Sequence, residues 1–197
     1  GLSLRLPFKN AGACHMPRAV TDAFIRVIQL LVLLGVVFLA GCTPKPPSKL
    51  GAPIEGWNHT RAAINWFMVN RNGGPNVGPY GGGGKQNCCV LLPVRWQPGL
   101  KVLVEWEKDP NVGASRYWKE RMFSEAWHER MADHRAKYTH HSVWVEVAPY
   151  EQLGVVDVHF LPCNQIAVSA VAELPGMAKY PFKFPHKMEE PAACPNP

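Results

Sequence analysis

The stretch "LKVLVEWE", residues 100–107, sets the fold class. Leu100, Val102, Val104 and Trp106 alternate with Lys101, Leu103, Glu105 and Glu107. Successive side chains of a strand point to opposite faces, so this pattern describes a half-buried strand. "SVWVEVAPY" at 142–150 repeats it, with Val143, Val145 and Val147 set against Trp144 and Glu146. "AAINWFMVN" at 62–70 puts Ile64, Trp66, Met68 and Asn70 on one side and Phe67 and Val69 on the other. "NCCVLLPVRW" at 87–96 is a nearly continuous apolar run. "VVDVHFLP" at 155–162 and "QIAVSAVA" at 165–172 are short β-branched runs separated by Cys163-Asn164. Such runs, bounded by turn residues, are strands.

One segment breaks the alternation. "ASRYWKERMFSEAWHERMADHRAKY", 114–138, has no Gly or Pro and is rich in Glu, Arg, Ala and Met. Trp118, Met122 and Ala126, with Tyr117, Trp127 and Met131, recur three to five residues apart, which predicts an amphipathic helix. Ser115 is its expected N-cap. The predicted fold class is α+β: a mostly antiparallel sheet or sandwich with one long inserted helix at about 114–138.

The N-terminal region addresses compartment. "VIQLLVLLGVVFLA", 27–40, is uncharged, follows Arg18 and Arg26, and ends on Gly41-Cys42. A basic start, a short apolar middle and small residues at the end describe a secretory signal. A membrane span needs roughly 20 apolar residues, more than this run holds. Leu39-Ala40-Gly41-Cys42 resembles the lipobox of bacterial lipoproteins, which implies cleavage before Cys42 and lipidation of its thiol. Each buried lipid CH₂ contributes about 0.8 kcal/mol to such an anchor. Thr43 rather than Asp follows Cys42, which in enteric-type lipoproteins implies the outer membrane.

Met16 opens a stretch of ordinary signal length, so residues 1–15 are expected to lie outside the natural product, Cys14 with them. The expected order is then a lipoprotein signal peptide at 16–41, a lipidated proline-rich tether at 42–54, one globular domain at 55–182 and a proline-rich tail at 183–197. A tail without periodicity is ordered only if something pins it. The chain has 21 Lys+Arg against 15 Asp+Glu. Losing residues 1–41 removes Arg5, Lys9, Arg18, Arg26 and Asp22, leaving 17 against 14. A charge of +3 without a basic cluster does not describe a nucleic-acid binder.

"PYGGGGKQNCCVLLP", 79–93, looks at first like a phosphate loop. That motif needs Gly, four residues, then Gly-Lys-Ser/Thr. Here Pro79 stands where the first glycine belongs, Gln86 replaces the hydroxyl residue, and a strand follows instead of a helix. The reading is a flexible turn entering a strand. Cys88 and Cys89 are not a Cys-x-x-Cys pair, and strand neighbours face opposite sides. With Cys163 and Cys194 they make four cysteines in an oxidising compartment, where at least one disulfide is expected. Their connectivity is open, since four cysteines allow three complete pairings.

Other chemical groups are sparse. His134, His140 and His141 do not match zinc-ligand spacings and read as solvated histidines. Glu105 and Glu107 share a strand face and read as surface charge. His59, in "GWNHT", is suited to orienting a loop by hydrogen bonds. No Gly-x-Ser-x-Gly elbow is present. No catalytic residue, metal ligand or cofactor site is expected, and the chain is read as a non-enzyme. Six of the seven tryptophans lie between Trp66 and Trp144. Core packing accounts for most of them, but Trp and Tyr are also enriched in binding hot spots.

"GWNHT" (56–60), Gly81–Gly84 with Cys88-Cys89, "LPVRWQPG" (92–99), "KDPNVG" (108–113), "YTHHSVWVEVAPY" (138–150) and "DVHFLP" (157–162) together resemble a family of proteobacterial lipoproteins of formally unknown function. The likeness runs over roughly 55–182. Genes of that family often neighbour lipase effectors of the type VI secretion system, and members of this kind look like immunity proteins. The resemblance implies a membrane-anchored periplasmic inhibitor of a phospholipase toxin and transfers no catalytic residue. Cys163 departs from the acidic or amide turn residue expected there, which makes a bond to Cys194 or to the Cys88-Cys89 pair conceivable. The 114–138 helix and the 71–84 glycine loop are the candidate contact surfaces. The alternatives are a structural envelope lipoprotein that contacts cell wall or another outer-membrane protein, and a small-ligand or metal carrier using the histidines.

Overall fold

The computed structural model describes residues 18–39 and 46–195. The chain divides into two units, Gly1–Pro46 and Pro47–Pro197. In the first, α1 spans Arg18–Leu39, a stretch with no proline and with Gly35 as its one glycine. Among the described residues no helix is long and apolar enough to cross a membrane. Cys14 and Cys42 lie outside the described residues.

The second unit is β-rich. Its strands are β1 (Lys49–Asn58), β2 (Ala63–Val69), β3 (Asn72–Gly73), β4 (Gly82–Pro93), β5 (Lys101–Asp109), β6 (Thr139–Glu146), β7 (Leu153–Phe160) and β8 (Ile166–Val171). They form two four-stranded sheets, ordered β4-β1-β7-β8 and β3-β2-β5-β6. Every pairing is antiparallel except β1 with β7, which is parallel. The fold is therefore a β-rich α+β arrangement.

Both sheets contribute to one core. Ile54, Val90, Leu92, Val156, Val158, Phe160 and Val168 from one meet Phe67, Val69, Val102, Val104 and Trp106 from the other. Phe160 packs edge-on against Phe67 at 5.2 Å and Trp106 at 6.0 Å between centroids. Burying each such Val, Ile or Phe contributes about 1.5–3 kcal/mol. The alternation in 100–107 holds, with Val102, Val104 and Trp106 buried. In β2 it does not hold throughout. A register irregularity between Ile64 and Trp66 changes the parity, so Ile64 joins the core with Phe67 and Val69 while Trp66 faces solvent.

The fold also differs from expectation at both ends. β1 begins at Lys49, inside the stretch read as a tether, and Ala52 and Ile54 are buried. Pro53 hides this strand in the sequence. It sits at the irregularity between Ala52 and Ile54, where a residue without an N–H is tolerated. The tail is ordered through Pro195. Met188 N–H donates to His59 O at 2.8 Å, and Cys194 pairs with Cys163.

The long helix at 114–138 is not formed. Ala114–Tyr117 make a 3-10 turn preceded by Gly113, Trp118 is extended, and helix α2 spans only Glu125–Arg135. Ser115 is therefore not a cap. Ser124 is the N-cap of α2, its hydroxyl accepting from Trp127 N–H at 3.3 Å. Phe123, at φ 66°, turns the chain out of helical geometry. Within α2 only His134 is buried, so the aromatic spacing reflects a local cluster, not a stripe on the core.

Candidate functional site

The parallel pairing of β1 with β7 sets Glu55 opposite Asp157 and Trp57 opposite His159. With Val156, Val158 and Phe160 in the core, Asp157 and His159 must point to the outer face of the sheet. That face would ordinarily meet water. Here the chain after β8 lies over it, bringing Tyr180, Phe182 and Phe184 against His159 at 5.7, 5.6 and 5.5 Å. Glu55, His59, Asp157 and His159 are all buried beneath this strap.

These groups form a continuous hydrogen-bonded chain. Trp57 Nε1–H donates to Asp157 Oδ1 at 2.9 Å. The Tyr180 hydroxyl lies 3.2 Å from Asp157 Oδ2 and 2.6 Å from His159 Nε2. His159 Nδ1 is 2.9 Å from His59 Nε2, and His59 Nδ1 is 2.7 Å from the Pro185 carbonyl. A carbonyl only accepts, so His59 Nδ1 carries a hydrogen. With both rings neutral, every other hydrogen follows: His159 Nδ1–H to His59, Tyr180 O–H to His159, and an Asp157 carboxylic O–H to Tyr180. Electrostatics agree with this uncharged state. Burial pushes Asp157 up to about 7, with Glu55 adding to the rise. Burial with nearby His59 holds His159 down to about 3. Burial and the Asp157 charge push the Tyr180 phenol well above its usual range. Among the described residues no buried side-chain polar atom lacks a partner. The chain looks like acid–base machinery but is closed over, so it locks the strap to the sheet.

The glycine run serves the same packing. Gly82 pairs with Trp57 on β1. A Cβ at Gly83 would collide with the Trp57 indole, and one at Gly82 would collide with the Gly56 carbonyl; φ is +74° and +138° there. Glycine is required because the strand approaches β1 without room for a side chain. A cavity of ≈ 260 Å³ lies beside the run, with Lys85 its only charged lining residue.

The residues singled out from sequence fall in separate places. His134 bonds buried Asp109 at 3.2 Å. His140 meets Glu107 at 2.8 Å on the outer face of its sheet. His141, on the opposite face of β6, stacks on Trp106 at 5.0 Å. They form no common site. His59 does orient a loop, holding both Pro185 and His159. The four cysteines pair as Cys88–Cys89 and Cys163–Cys194. The first pair overturns the expectation that these neighbours point apart: their peptide bond is cis and the sulfurs join each other. Among the described residues one cluster of metal-type side chains comes together, Cys163, Glu190 and Cys194. With its two sulfurs bonded to each other it offers no thiolate ligand. Asp157 and Tyr180 went unrecognised in the sequence. The alternation of "VVDVHF" was the available signal, because it aligns Asp157 with His159 on one face.

An accessible feature lies at the edges of the sheets. β6 is the outer strand of one sheet and β8 of the other. They meet at a parallel bridge, Val147 to Val168, where Ala148 N–H donates to Val168 O at 3.0 Å. Elsewhere they do not pair. A groove of ≈ 750 Å³ runs there, lined by Val143, Val145, Leu161 and Ile166, by polar Glu146, Asn164 and Gln165, and by the Cys163–Cys194 bond. Val143 sits opposite fully buried Val104 yet is 38% exposed, and neighbouring Trp144 is 63% exposed.

No curated protein and no solved structure matches the chain. Residues 57–168 match a family described as "Protein of unknown function (DUF3304)". That stretch runs from Trp57 in β1 to Val168 in β8; it takes in Trp57, His59, Asp157 and His159 and the β6 side of the groove, and leaves out the strap with Tyr180 and Cys194. The chain belongs to the DUF3304 family.

Proposed function

We propose that this protein is a periplasmic immunity protein, anchored through lipid on Cys42, that captures a type VI secretion phospholipase and blocks it without turning over substrate. The observation that carries the reading is the groove between β6 and β8. We read the two sheets as the faces of a sandwich left open on that side. Its lining combines apolar Val143, Val145, Leu161 and Ile166 with polar Glu146, Asn164 and Gln165, both rims are edge strands, and exposed Trp144 is part of it. Edge strands flanking a partly apolar trough suit an extended segment of another protein, which adds a strand and seats alternate side chains. The acid–base chain from Asp157 to His59 is buried under the strap, which suits a binding protein better than a catalyst.

Protection at low toxin concentration calls for a nanomolar complex, about −12 kcal/mol. Such complexes bury about 800 Å² on each partner, so the groove forms the centre of a larger contact. The test is periplasmic co-expression with each lipase encoded beside the gene. One lipase should kill cells alone and spare them when this protein is present. Equal killing with and without it, for every adjacent lipase, refutes the proposal and favours a structural envelope role.

A further inference from the structure

The segment "RYWKERMF", 116–123, is used neither by the core nor by the groove. It leads the insertion between β5 and β6 and has its own aromatic packing. Trp118 and Phe123 meet Trp127 at 6.2 and 5.3 Å, and Arg130 lies over Trp118 at 5.1 Å. Arg130 also holds Glu120 through two bonds of 2.9 and 2.8 Å, which neutralises the one acid in the segment. On this platform Tyr117 is 86%, Met122 64% and Phe123 71% exposed. Arg116, Lys119 and Arg121 are exposed between them and have no ion-pair partner among the described residues.

Leaving an aromatic ring outside the fold is unfavourable, and here the backbone presents it. Phe123 has φ 66°, a conformation costly for a bulky residue, and is held there by the Ser124 N–H bond to Arg121 O at 2.9 Å and by the α2 cap that follows. Three uncompensated cations interleaved with three exposed apolar side chains match an anionic, fluid apolar layer. Tyrosine and other aromatic rings settle at the headgroup level, and Lys and Arg are drawn to acidic headgroups. A protruding tip can sink into a bilayer, whereas a folded partner would have to supply a matching pocket.

We infer that the tip formed by Arg116, Tyr117, Lys119, Arg121, Met122 and Phe123 docks onto anionic phospholipid surfaces. This contact uses none of the groove's lining residues, and it sets how the sheet unit rests on the membrane.

The test uses residues 47–197 in oxidised form. This unit holds every core residue and both disulfides, and it excludes α1 as a source of binding. Flotation with phosphatidylglycerol-containing vesicles is compared with pure phosphatidylcholine vesicles. The expected result is at least roughly tenfold stronger partition into the anionic vesicles, lost at about 1 M salt, where the screening length is short. The triple variants Tyr117→Ser/Met122→Ser/Phe123→Ser and Arg116→Glu/Lys119→Glu/Arg121→Glu should each lose that tenfold gain with unchanged melting temperatures. Hydrogen exchange should slow on the vesicles at 116–123 and stay unchanged along β6. Equal partition into both vesicle types, or anionic binding untouched by either variant, overturns the inference. So does a wild type that ignores all vesicles and binds an acidic protein through this tip.

Discussion

The buried chain under the strap makes an opposed pair of pH responses. The perturbations are Asp157→Asn and His159→Gln, taken separately. In the folded protein Asp157 titrates near 7 and His159 near 3, from ordinary values of 3.8 and 6.5. Asp157 is raised, so its contribution is full below its unfolded value and is lost as pH rises through 7. His159 is depressed, so its contribution is full above its unfolded value and is lost as pH falls through 3. Between pH 4 and 6.5 the folded pair holds one proton, on the carboxyl, and the unfolded pair also holds one, on the imidazole. Stability depends on the difference in bound protons, so these two responses cancel in the wild type over that window. Glu55, raised, and His59, lowered, oppose each other in the same way.

Removing either partner breaks the balance. Asp157→Asn leaves the histidine alone, and stability should fall as pH drops from 6.5, by up to about 1.4 kcal/mol per unit. His159→Gln leaves the carboxyl alone, and stability should fall as pH rises from 4 to 7 with a similar slope of opposite sign. Neither shift is attributed to the other group, so each survives the other's removal. The full swing in either variant is on the order of 4 kcal/mol, a large part of a small domain's stability. Urea midpoints across pH 4 to 7 measure it. A wild-type plateau with two oppositely sloped variants is expected; variants that both run parallel to the wild type refute the assignment of one neutral, proton-sharing chain.

Two more predictions rest on local structure and a third on the Leu39-Ala40-Gly41-Cys42 sequence. Cys163→Ser opens a loop spanning 31 residues and should cost about 4 kcal/mol on a chain-entropy reckoning, with faster hydrogen exchange in 180–195; unchanged exchange there would show that the strap does not depend on the bond. Gly83→Ala adds a Cβ against the Trp57 indole at φ +74° and should lower stability by about 1–3 kcal/mol in urea titration, whereas a neutral effect would mean that β4 relaxes freely. Cys42→Ser should abolish labelling by fed palmitate, and equal labelling of the variant would remove the lipid anchor from the account.

Much of the fold was readable because β5 buries one face and keeps a period of two, β6 keeps the same alternation although none of its residues is fully buried, and β7 and β8, buried on both faces, survive in composition as β-branched runs. β1 was not readable, since Pro53 and the prolines before it look like a linker until a bulge and a partner strand are supplied. The helix was over-read for the opposite reason. Tyr117, Trp118 and Trp127 have near-helical spacing, but Trp118 packs on Trp127 across a break at Phe123 while Tyr117 stays exposed. The closed cluster was half visible. "VVDVHF" sets Asp157 beside His159, yet the Tyr180, Phe182 and Phe184 that cover them come from a segment with little strand or helix periodicity. Alternation also separated Cys88 from Cys89, whose sulfurs are paired. The groove left no trace in sequence, because it exists where two edge strands fail to pair.

The proposed capture of a phospholipase without chemistry is tested most directly by titrating residues 47–197 into each lipase found encoded beside the gene by calorimetry while following phospholipid hydrolysis. The account predicts a one-to-one complex of nanomolar order, lipase activity falling in proportion to the protein added, no hydrolysis by the protein alone, and loss of both effects in Val143→Asp with its melting temperature retained. No heat of binding together with undiminished hydrolysis, or full inhibition by Val143→Asp, would contradict it.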